Sequence, residues 1–346
     1  MAIVECSHSP TIRRVSPLSR FGHAATVKEN EIFFFGGSSF DEDDEHITYH
    51  GDFFKLAVHG CKMYWMRMLL DGHAPPKRAE HSICLHNNQL YVYGGKNDPS
   101  AEYCLPGLYV YDIGYQKWEY LYTSGMAPST LGHTMSCIDD MLYVLGGYVK
   151  GEISNQLYML HVKQLIWTKL TTCGSISARY NHRAAVISDA IYIFGGCAGK
   201  DIWLNDLHIL DTSTLTWYQP RVHGPQPPPR AYHTMLADRN KVIIKIIHFR
   251  FAVLYTSEQG IIANIANEVL ILADTTAEYL YIYGGASNSA PHKRITFNDL
   301  HQYNTVTHEW TALFTMPTPI NCFSLAAGII QNKIDNVLDV LQVSDW

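Results

Sequence analysis

Short runs of consecutive apolar residues, each closed by two glycines, recur along the chain. They are Ile32-Phe-Phe-Phe-Gly36-Gly37, Leu90-Tyr-Val-Tyr-Gly94-Gly95, Leu142-Tyr-Val-Leu-Gly146-Gly147, Ile191-Tyr-Ile-Phe-Gly195-Gly196 and Leu280-Tyr-Ile-Tyr-Gly284-Gly285. Unbroken β-branched and aromatic residues over this length predict strands covered on both faces. The glycines predict a tight turn, or the close approach of a neighbour, where a Cβ would clash. Three further strand-like pieces surround each run: one before it that opens on histidine, one after it such as Leu108-Tyr-Val-Tyr-Asp112, and one bearing tryptophan. Proline-rich connectors, such as Ala74-Pro-Pro-Lys-Arg78 and Pro225-Gln-Pro-Pro-Pro-Arg230, separate one set from the next.

The spacing is regular. His23, His81, His133 and His182 each stand 13 residues before the first glycine of a pair. Arginine stands three residues before the histidine at Arg20, Arg78, Arg179 and Arg230, and Thr130 takes that place in the third copy. Trp65, Trp118, Trp167, Trp217 and Trp310 follow the glycine pairs, and Asn205-Asp-Leu-His208 and Asn298-Asp-Leu-His301 precede the last two tryptophans. Four antiparallel strands in a period of roughly 50 residues predict a propeller blade. These residues resemble the kelch motif over roughly residues 20–315, and within that family they look like the small kelch-domain-containing proteins. The resemblance implies an all-β, kelch-type β-propeller of about six blades.

Two places break the spacing. After Arg230-Ala-Tyr-His233, the expected glycines arrive only at Gly284-Gly285, and removing residues 242–279 restores the 13-residue spacing. The fifth blade is therefore expected to carry an atypical insertion between two adjacent strands. A genuine turn insertion is thermodynamically tolerable. Translated intron sequence is the other origin, because the segment is rich in Ile, lacks the blade pattern and opens on Val242, whose codons begin with GT. Near the C-terminus, Phe323 to Ile334 reads as the opening of a sixth blade that stays incomplete. Residues 1–19 form an N-terminal segment whose Ala2 to His8 would supply a ring-closing strand, and the propeller occupies 20–346.

Composition narrows the classes. The chain has 346 residues, 47% hydrophobic and 12% aromatic, with 22 tyrosines and a net charge of −6. Cations are not clustered, which argues against nucleic-acid binding and a polybasic membrane anchor. The most apolar stretch, Val242 to Ala273, is interrupted by Lys245, His248, Arg250 and Glu258, so no membrane insertion is expected. The eight cysteines form no CxxC pair, which predicts free thiols in a reducing compartment. Without signal-peptide character at the N-terminus, the expected location is cytoplasmic, with the nucleus also open.

Candidate chemistry is sparse. One histidine per blade cannot converge on one metal, so these rings are expected to be hydrogen-bonded scaffold. The tryptophans are expected to pack between blades. The run Phe40-Asp-Glu-Asp-Asp-Glu-His46-Ile-Thr-Tyr-His50 brings Glu42, His46 and His50 close in sequence, but the match to a metal site is loose; a solvated acidic loop or an electrostatic docking patch fits better. No P-loop, dinucleotide fingerprint or Ser-His-Asp order cue is present, and neither a catalytic residue nor a cofactor is expected.

The resemblance implies partner contacts from two ring positions. One lies just after Gly-Gly, at Ser38, Lys96, Tyr148, Cys197 and Ala286; the other lies at or after the repeat arginine, at Arg20, Phe21, Arg78, Ala79, Arg179, Tyr180, Arg230 and Ala231. Phe21, Tyr148 and Tyr180 are candidate aromatic anchors, and Lys96 and the arginines are candidate receivers of an acidic or C-terminal carboxylate. The expected function is a scaffold or adaptor that binds a protein or peptide, with substrate recognition in a ubiquitin-ligase assembly as one setting. No room for a BTB domain is expected before residue 20. The alternative is a metal-dependent or sugar-processing enzyme on the same fold.

Overall fold

The computed structural model of the protein describes residues 16–41, 46–59, 62–99, 103–238, 279–290 and 293–315, together with backbone strands at 243–247, 251–256, 261–265, 268–272 and 327–331. Each of five sequence periods forms a four-stranded antiparallel sheet, and in blade 3 the connector residues Ser124–Gly125 add a short strand parallel to the outermost one. Blade 1 joins Ala24–Lys28, Glu31–Phe35, Phe53–His59 and Lys62–Arg67, and blade 2 joins Ser82–His86, Gln89–Tyr93, Leu108–Asp112 and Lys117–Leu121. Blade 3 joins Thr134–Ile138, Met141–Val149, Glu152–His161 and Ile166–Leu170, and blade 4 joins Arg183–Ile187, Ala190–Gly199, Ile202–Asp211 and Thr216–Tyr218. Blade 5 joins Thr234–Asp238, Tyr279–Tyr283, Asp299–Asn304 and Glu309–Thr315.

The first strand of each blade stands beside the first strand of the next, and this row forms the inside of the ring. Strand Ala327–Gln331 lies beside both Thr234–Asp238 and Ala24–Lys28, between the last blade and the first. It falls within the stretch that the spacing marked as a sixth blade. Its sheet differs from the others. The order is 268–272, 261–265, 243–247, 251–256, then Ala327–Gln331, with the last pair parallel. The segment between Asp238 and Tyr279 thus contributes strands at the sixth position although it lacks the blade motif. Its Ile-rich runs suit pairing with an available strand edge. Tyr279, the end of the interval delimited by spacing, pairs with Asp238 and belongs to blade 5. The proposed closing strand Ala2–His8 lies outside the described residues.

The core lies between blades. Ile32, Leu90, Leu142, Ile193 and Leu280 are buried, and each such side chain contributes about 1.5–3 kcal/mol relative to exposure. Each fully buried tryptophan reaches back to an aromatic ring of the preceding blade: Trp118 to Phe35 at 5.4 Å, Trp167 to Tyr93 at 4.9 Å, and Trp310 to Phe194 at 5.4 Å. The connectors add a second tie. Gly72, Gly125 and Gly224 lie so close to the next outer strand that a Cβ would come within 2.2 Å of the carbonyl oxygens of Trp118, Trp167 and Trp310.

The 13-residue spacing between histidine and glycine has a geometric cause. The second glycine packs on the histidine of its own blade: a Cβ on Gly95 would lie 2.8 Å from His81 Cβ, and one on Gly196 would lie 2.8 Å from His182 Cβ. The first glycine packs under the histidine of the next blade: a Cβ on Gly94 would meet His133 Cε1 at 2.5 Å, and one on Gly195 would meet His233 Cε1 at 3.1 Å. The second glycine also donates its N–H to the next blade, from Gly37 to the Arg78 carbonyl at 2.8 Å and from Gly147 to the Arg179 carbonyl at 2.9 Å. The expected hydrogen-bonded histidines are only partly so. His182 Nε2 contacts Thr134 Oγ1 at 3.0 Å, whereas the nitrogens of His133 and His233 have no hydrogen-bond partner among the described residues. Those rings instead pack edge-on against Tyr93 and Phe194.

Gly94→Ala is expected to destabilise the protein by about 2–4 kcal/mol, because a Cβ at its φ of +69° meets backbone and a packed ring. Gly199→Ala, whose Cβ would meet only the end of Ile202, is expected to stay within about 0.5 kcal/mol. Urea unfolding of the two variants compares them; equal losses would refute the seam.

The buried rings also set a pH dependence. Burial is the largest cause that holds His23 and His133 down to about 3, and it holds His81, His182 and His233 well below the ordinary histidine value. Unfolded, they take protons near pH 6.5; folded, they do not. Stability is therefore expected to be level above pH 6.5 and to fall below it, by up to about 1.4 kcal/mol per pH unit for each ring. Urea midpoints between pH 8 and pH 5 measure this, and a flat profile would contradict it.

Candidate functional site at the mouth of the ring

The inner strands begin, and the Gly-Gly strands end, on the same face of the ring. There the two ring positions implied by the sequence meet as backbone pairs. Phe21 pairs with Ser38, Ala79 with Lys96, Leu131 with Tyr148, Tyr180 with Cys197, and Ala231 with Ala286. Each pair exchanges two backbone hydrogen bonds of 2.8–3.2 Å. The next residue in each blade continues the contact sideways. Glu80 N–H donates to Gly22 O, Gly132 N–H to Glu80 O, Asn181 N–H to Gly132 O, and Tyr232 N–H to Asn181 O. All five residues of this arc have φ between 53° and 64°. For Glu80, Asn181 and Tyr232 that conformation is strained by roughly 1–3 kcal/mol each, which the surrounding bonds must offset. The arc was not anticipated from the sequence. Its only signal was glycine before the histidine at Gly22 and Gly132.

Among the described residues, four hairpins stand above the mouth. Blade 1 adds Ser38–Asp41 with His46–Tyr49, and blade 5 adds Ala286–Ala290 with Lys293–Thr296. In blades 3 and 4 the Gly-Gly strand continues through the glycines to Val149 and Gly199. Asn288 Nδ2 donates to Asp201 and ties the blade 5 hairpin to that of blade 4.

The repeat arginines do not present themselves to a partner. Arg78, Arg179 and Arg230 are fully buried, which corrects their expected role as carboxylate receivers. The cause is a shared slot. Arg20, Arg78, Arg179 and Arg230 each donate to the carbonyl of the first glycine, at 2.9–3.0 Å. Thr130 Oγ1 donates to the equivalent Gly146 O at 3.0 Å, which explains why threonine substitutes there. An aspartate at the residue before the Leu or Phe that opens the shared part of the third strand then neutralises the guanidinium: Asp52 just before it, Asp299 at its first residue and Asp206 within it. Asp206 holds Arg179 with bonds of 2.9 and 2.7 Å, Asp299 holds Arg230 with bonds of 2.7 and 2.8 Å, and Asp52 holds Arg20. His208 and His301 add bonds of 2.8 and 2.9 Å to Asp206 and Asp299. Despite the opposing effect of burial, these partners hold both carboxyls below the usual carboxylate range. In blade 2 the position holds Gly107, and Arg78 lies beneath the Tyr109 ring at 5.0 Å.

Ser38 and Cys197 are also buried, leaving Phe21, Lys96, Tyr148 and Tyr180, with Arg20 paired to Asp52, as the partly exposed members of the expected set. Tyr148 and Tyr180 adjoin at 6.1 Å, and Trp203 and Tyr232 at 6.5 Å extend the aromatic wall across blades 4 and 5. Lys96 Nζ pairs with Glu80 at 3.3 Å. Burial, with Cys197 and Glu80 adding, pushes the Tyr180 phenol up to about 12, so it stays a neutral hydrogen-bond donor. Arg183 follows His182 on the inner strand, and burial lowers it to about 10, where it remains cationic at neutral pH. Of the histidine-acid loop, Glu42 lies outside the described residues, His46 is exposed, and His50 Nε2 contacts Ser39 Oγ at 2.9 Å. Among the described residues no three His, Cys, Asp or Glu side chains gather as a metal site. The thiols of Cys84 and Cys197 are buried, while Cys173 is exposed.

Comparison with known proteins agrees with this geometry. A family model described as the KLHDC2/KLHL20/DRC7 Kelch-repeats domain matches residues 5–132 and again 132–245. Kelch domain-containing protein 10 of Xenopus tropicalis is 32% identical over 152 residues, which cover 42% of this chain and 37% of that protein. Kelch domain-containing protein 1 of Homo sapiens is 31% identical over 197 residues, 48% of each chain. The dynein alpha chain of the flagellar outer arm of Chlamydomonas reinhardtii is 29% identical over 155 residues, 44% of this chain and 3% of that one. The matched region spans less than half the length of these relatives.

Asp299→Asn tests the arginine slot. It leaves the buried Arg230 guanidinium without its carboxylate and is expected to lower stability by about 2–4 kcal/mol. A thermal melt measures the loss, and an unchanged melting temperature would show that the pair is dispensable.

Proposed function

The chain belongs to the kelch-repeat family, and on that premise we propose that it is a protein-interaction scaffold whose partner segment docks in the mouth of the propeller. The observation that carries this reading is the partly exposed aromatic wall of Tyr148, Tyr180, Trp203 and Tyr232 beside a strained backbone arc held by hydrogen bonds. Large aromatic rings on a rigid frame bury much area at little entropic cost. The variable hairpins above the frame supply specificity. Adaptor work, including substrate recognition within a ubiquitin-ligase assembly, is the setting proposed for this binding. The cytoplasm is the compartment proposed, supported by free cysteines that include the exposed Cys173.

Affinity purification of the full chain from its source cells, followed by mass spectrometry, tests the reading. Tyr148→Ala combined with Tyr180→Ala is expected to reduce recovery of a stable partner at least tenfold while the melting temperature changes little. Undiminished recovery would move the binding surface away from the mouth.

A further inference from the structure

The far ends of the inner strands, on the face opposite the mouth, carry a cluster of reactive side chains that the binding surface does not use. Strand Ser82–His86 ends on His86, and Cys137 is the last residue but one of the neighbouring inner strand Thr134–Ile138. Cys137 Sγ lies 3.4 Å from His86 Nδ1, across the seam between blades 2 and 3. The other ring nitrogen, Nε2, lies 3.1 Å from Asp140 Oδ1 and 2.9 Å from the Asn87 side-chain amide. The second oxygen of Asp140 accepts from Lys163, and Cys137 Sγ also lies 3.4 Å from the Asp139 carbonyl oxygen. Thiol, imidazole and carboxylate therefore stand in line rather than around one point. That order is a nucleophile, a base and a group that orients the base, and it differs from a metal site.

The frame does not require these residues. His86 stands five residues after His81, and Cys137 four after His133. The same positions hold Ile138 and Val186 between blades 3 and 4, and Ile187 and Ala237 between blades 4 and 5, all within or against apolar clusters. Between blades 1 and 2, Lys28 donates to Asn88 much as His86 meets Asp140, but Leu85 stands where Cys137 does. Cys137 is partly exposed, whereas Cys84 in the same seam is buried. Burial, with Asp140 and Asp139 adding, raises the Cys137 thiol to about 11, so it rests protonated and needs a base in contact to react at neutral pH. We propose that Cys137 is a base-assisted nucleophilic thiol and a site of reversible oxidation by peroxides. His86 Nδ1 takes the thiol proton as sulfur attacks one oxygen of hydrogen peroxide. The O–O bond breaks, sulfur keeps one hydroxyl, and the departing hydroxide takes the proton from His86 and leaves as water. The thiol becomes a sulfenic acid. Two low-molecular-weight thiols reverse the step: Cys137 regains its thiol, the two are oxidised to their disulfide, and the oxygen leaves as water.

Timed exposure of the full chain to hydrogen peroxide, trapping of sulfenic acid with dimedone and mass spectrometry of the resulting peptides test the proposal. The exposed Cys173 is the reference thiol, and the buried Cys84 reports any opening of the seam. Cys137 is expected to be labelled faster than Cys173 by about tenfold or more, although it is less exposed, while Cys84 stays unlabelled. His86→Gln is expected to slow Cys137 by about tenfold or more while Cys173 keeps its rate. Glutathione, added once the peroxide is removed and before any dimedone, is expected to return the Cys137 peptide to its free-thiol mass; a persistent oxidised mass would overturn the reversibility. Labelling of Cys137 no faster than Cys173, or a rate that His86→Gln leaves unchanged, would overturn the proposal. The comparison with Cys173 uses the unaltered chain, so it decides the matter whether or not the variant folds. Labelling of Cys84 alongside Cys137 would also overturn it, because the reaction would then follow opening of the seam.

Discussion

The packing of histidine against paired glycines is the constraint on which the ring depends. A blade sheet has two faces and must cover both, and its neighbours supply the covers. The seam holds only if one backbone can pass directly beneath a ring of the next blade. At Gly94 the space between its own strand and His133 is smaller than a methyl group. The adjacent N–H is donated to the next blade, so the seam combines close packing with a satisfied polar group. The tryptophans behind it fill the wider part of each wedge, against Phe35, Tyr93 and Phe194.

Rigidity at the mouth follows from that seam. The strained conformations of Glu80, Asn181 and Tyr232 persist because each sits between a pinned backbone pair and a packed histidine. The arginine slot completes the frame. One guanidinium ties the glycine turn, the connector and the third strand of a blade, and an aspartate cancels its charge where burial would otherwise penalise it. Cations that recur in the motif are thereby withdrawn from recognition. What stays partly exposed there is the part that differs between blades: the tyrosines, Trp203, the Lys96–Glu80 pair and the hairpins.

Legibility in the sequence divided along the same line. The strands, their order and the seams were readable because one steric demand, repeated in each blade, leaves the same residues at the same spacing. Trp118 and Trp167 between blades followed directly. Thr130 read as a departure and proved to make the same bond by a shorter route. The candidate site was harder. Arg179 and Arg230 recur as a surface motif would, yet their repetition reflected structure, because the carboxylates that neutralise them lie 27 and 69 residues away in the chain. The strained arc left almost no trace, since glutamate, asparagine and tyrosine do not announce a left-handed backbone. The 242–279 region lacked the motif, and its pairing with Ala327–Gln331 depends on two distant segments meeting at one edge.

By itself the sequence determined the blade, its period and the family, because local spacing records a contact that every blade must make. The tertiary structure alone decided which polar residues of that motif are spent on the frame and which reach solvent. Burial and charge pairing are set by neighbours brought together from far along the chain, and no local pattern encodes them. The two ring positions first read as one partner-binding set became a buried layer of arginines beneath a partly exposed layer of tyrosines.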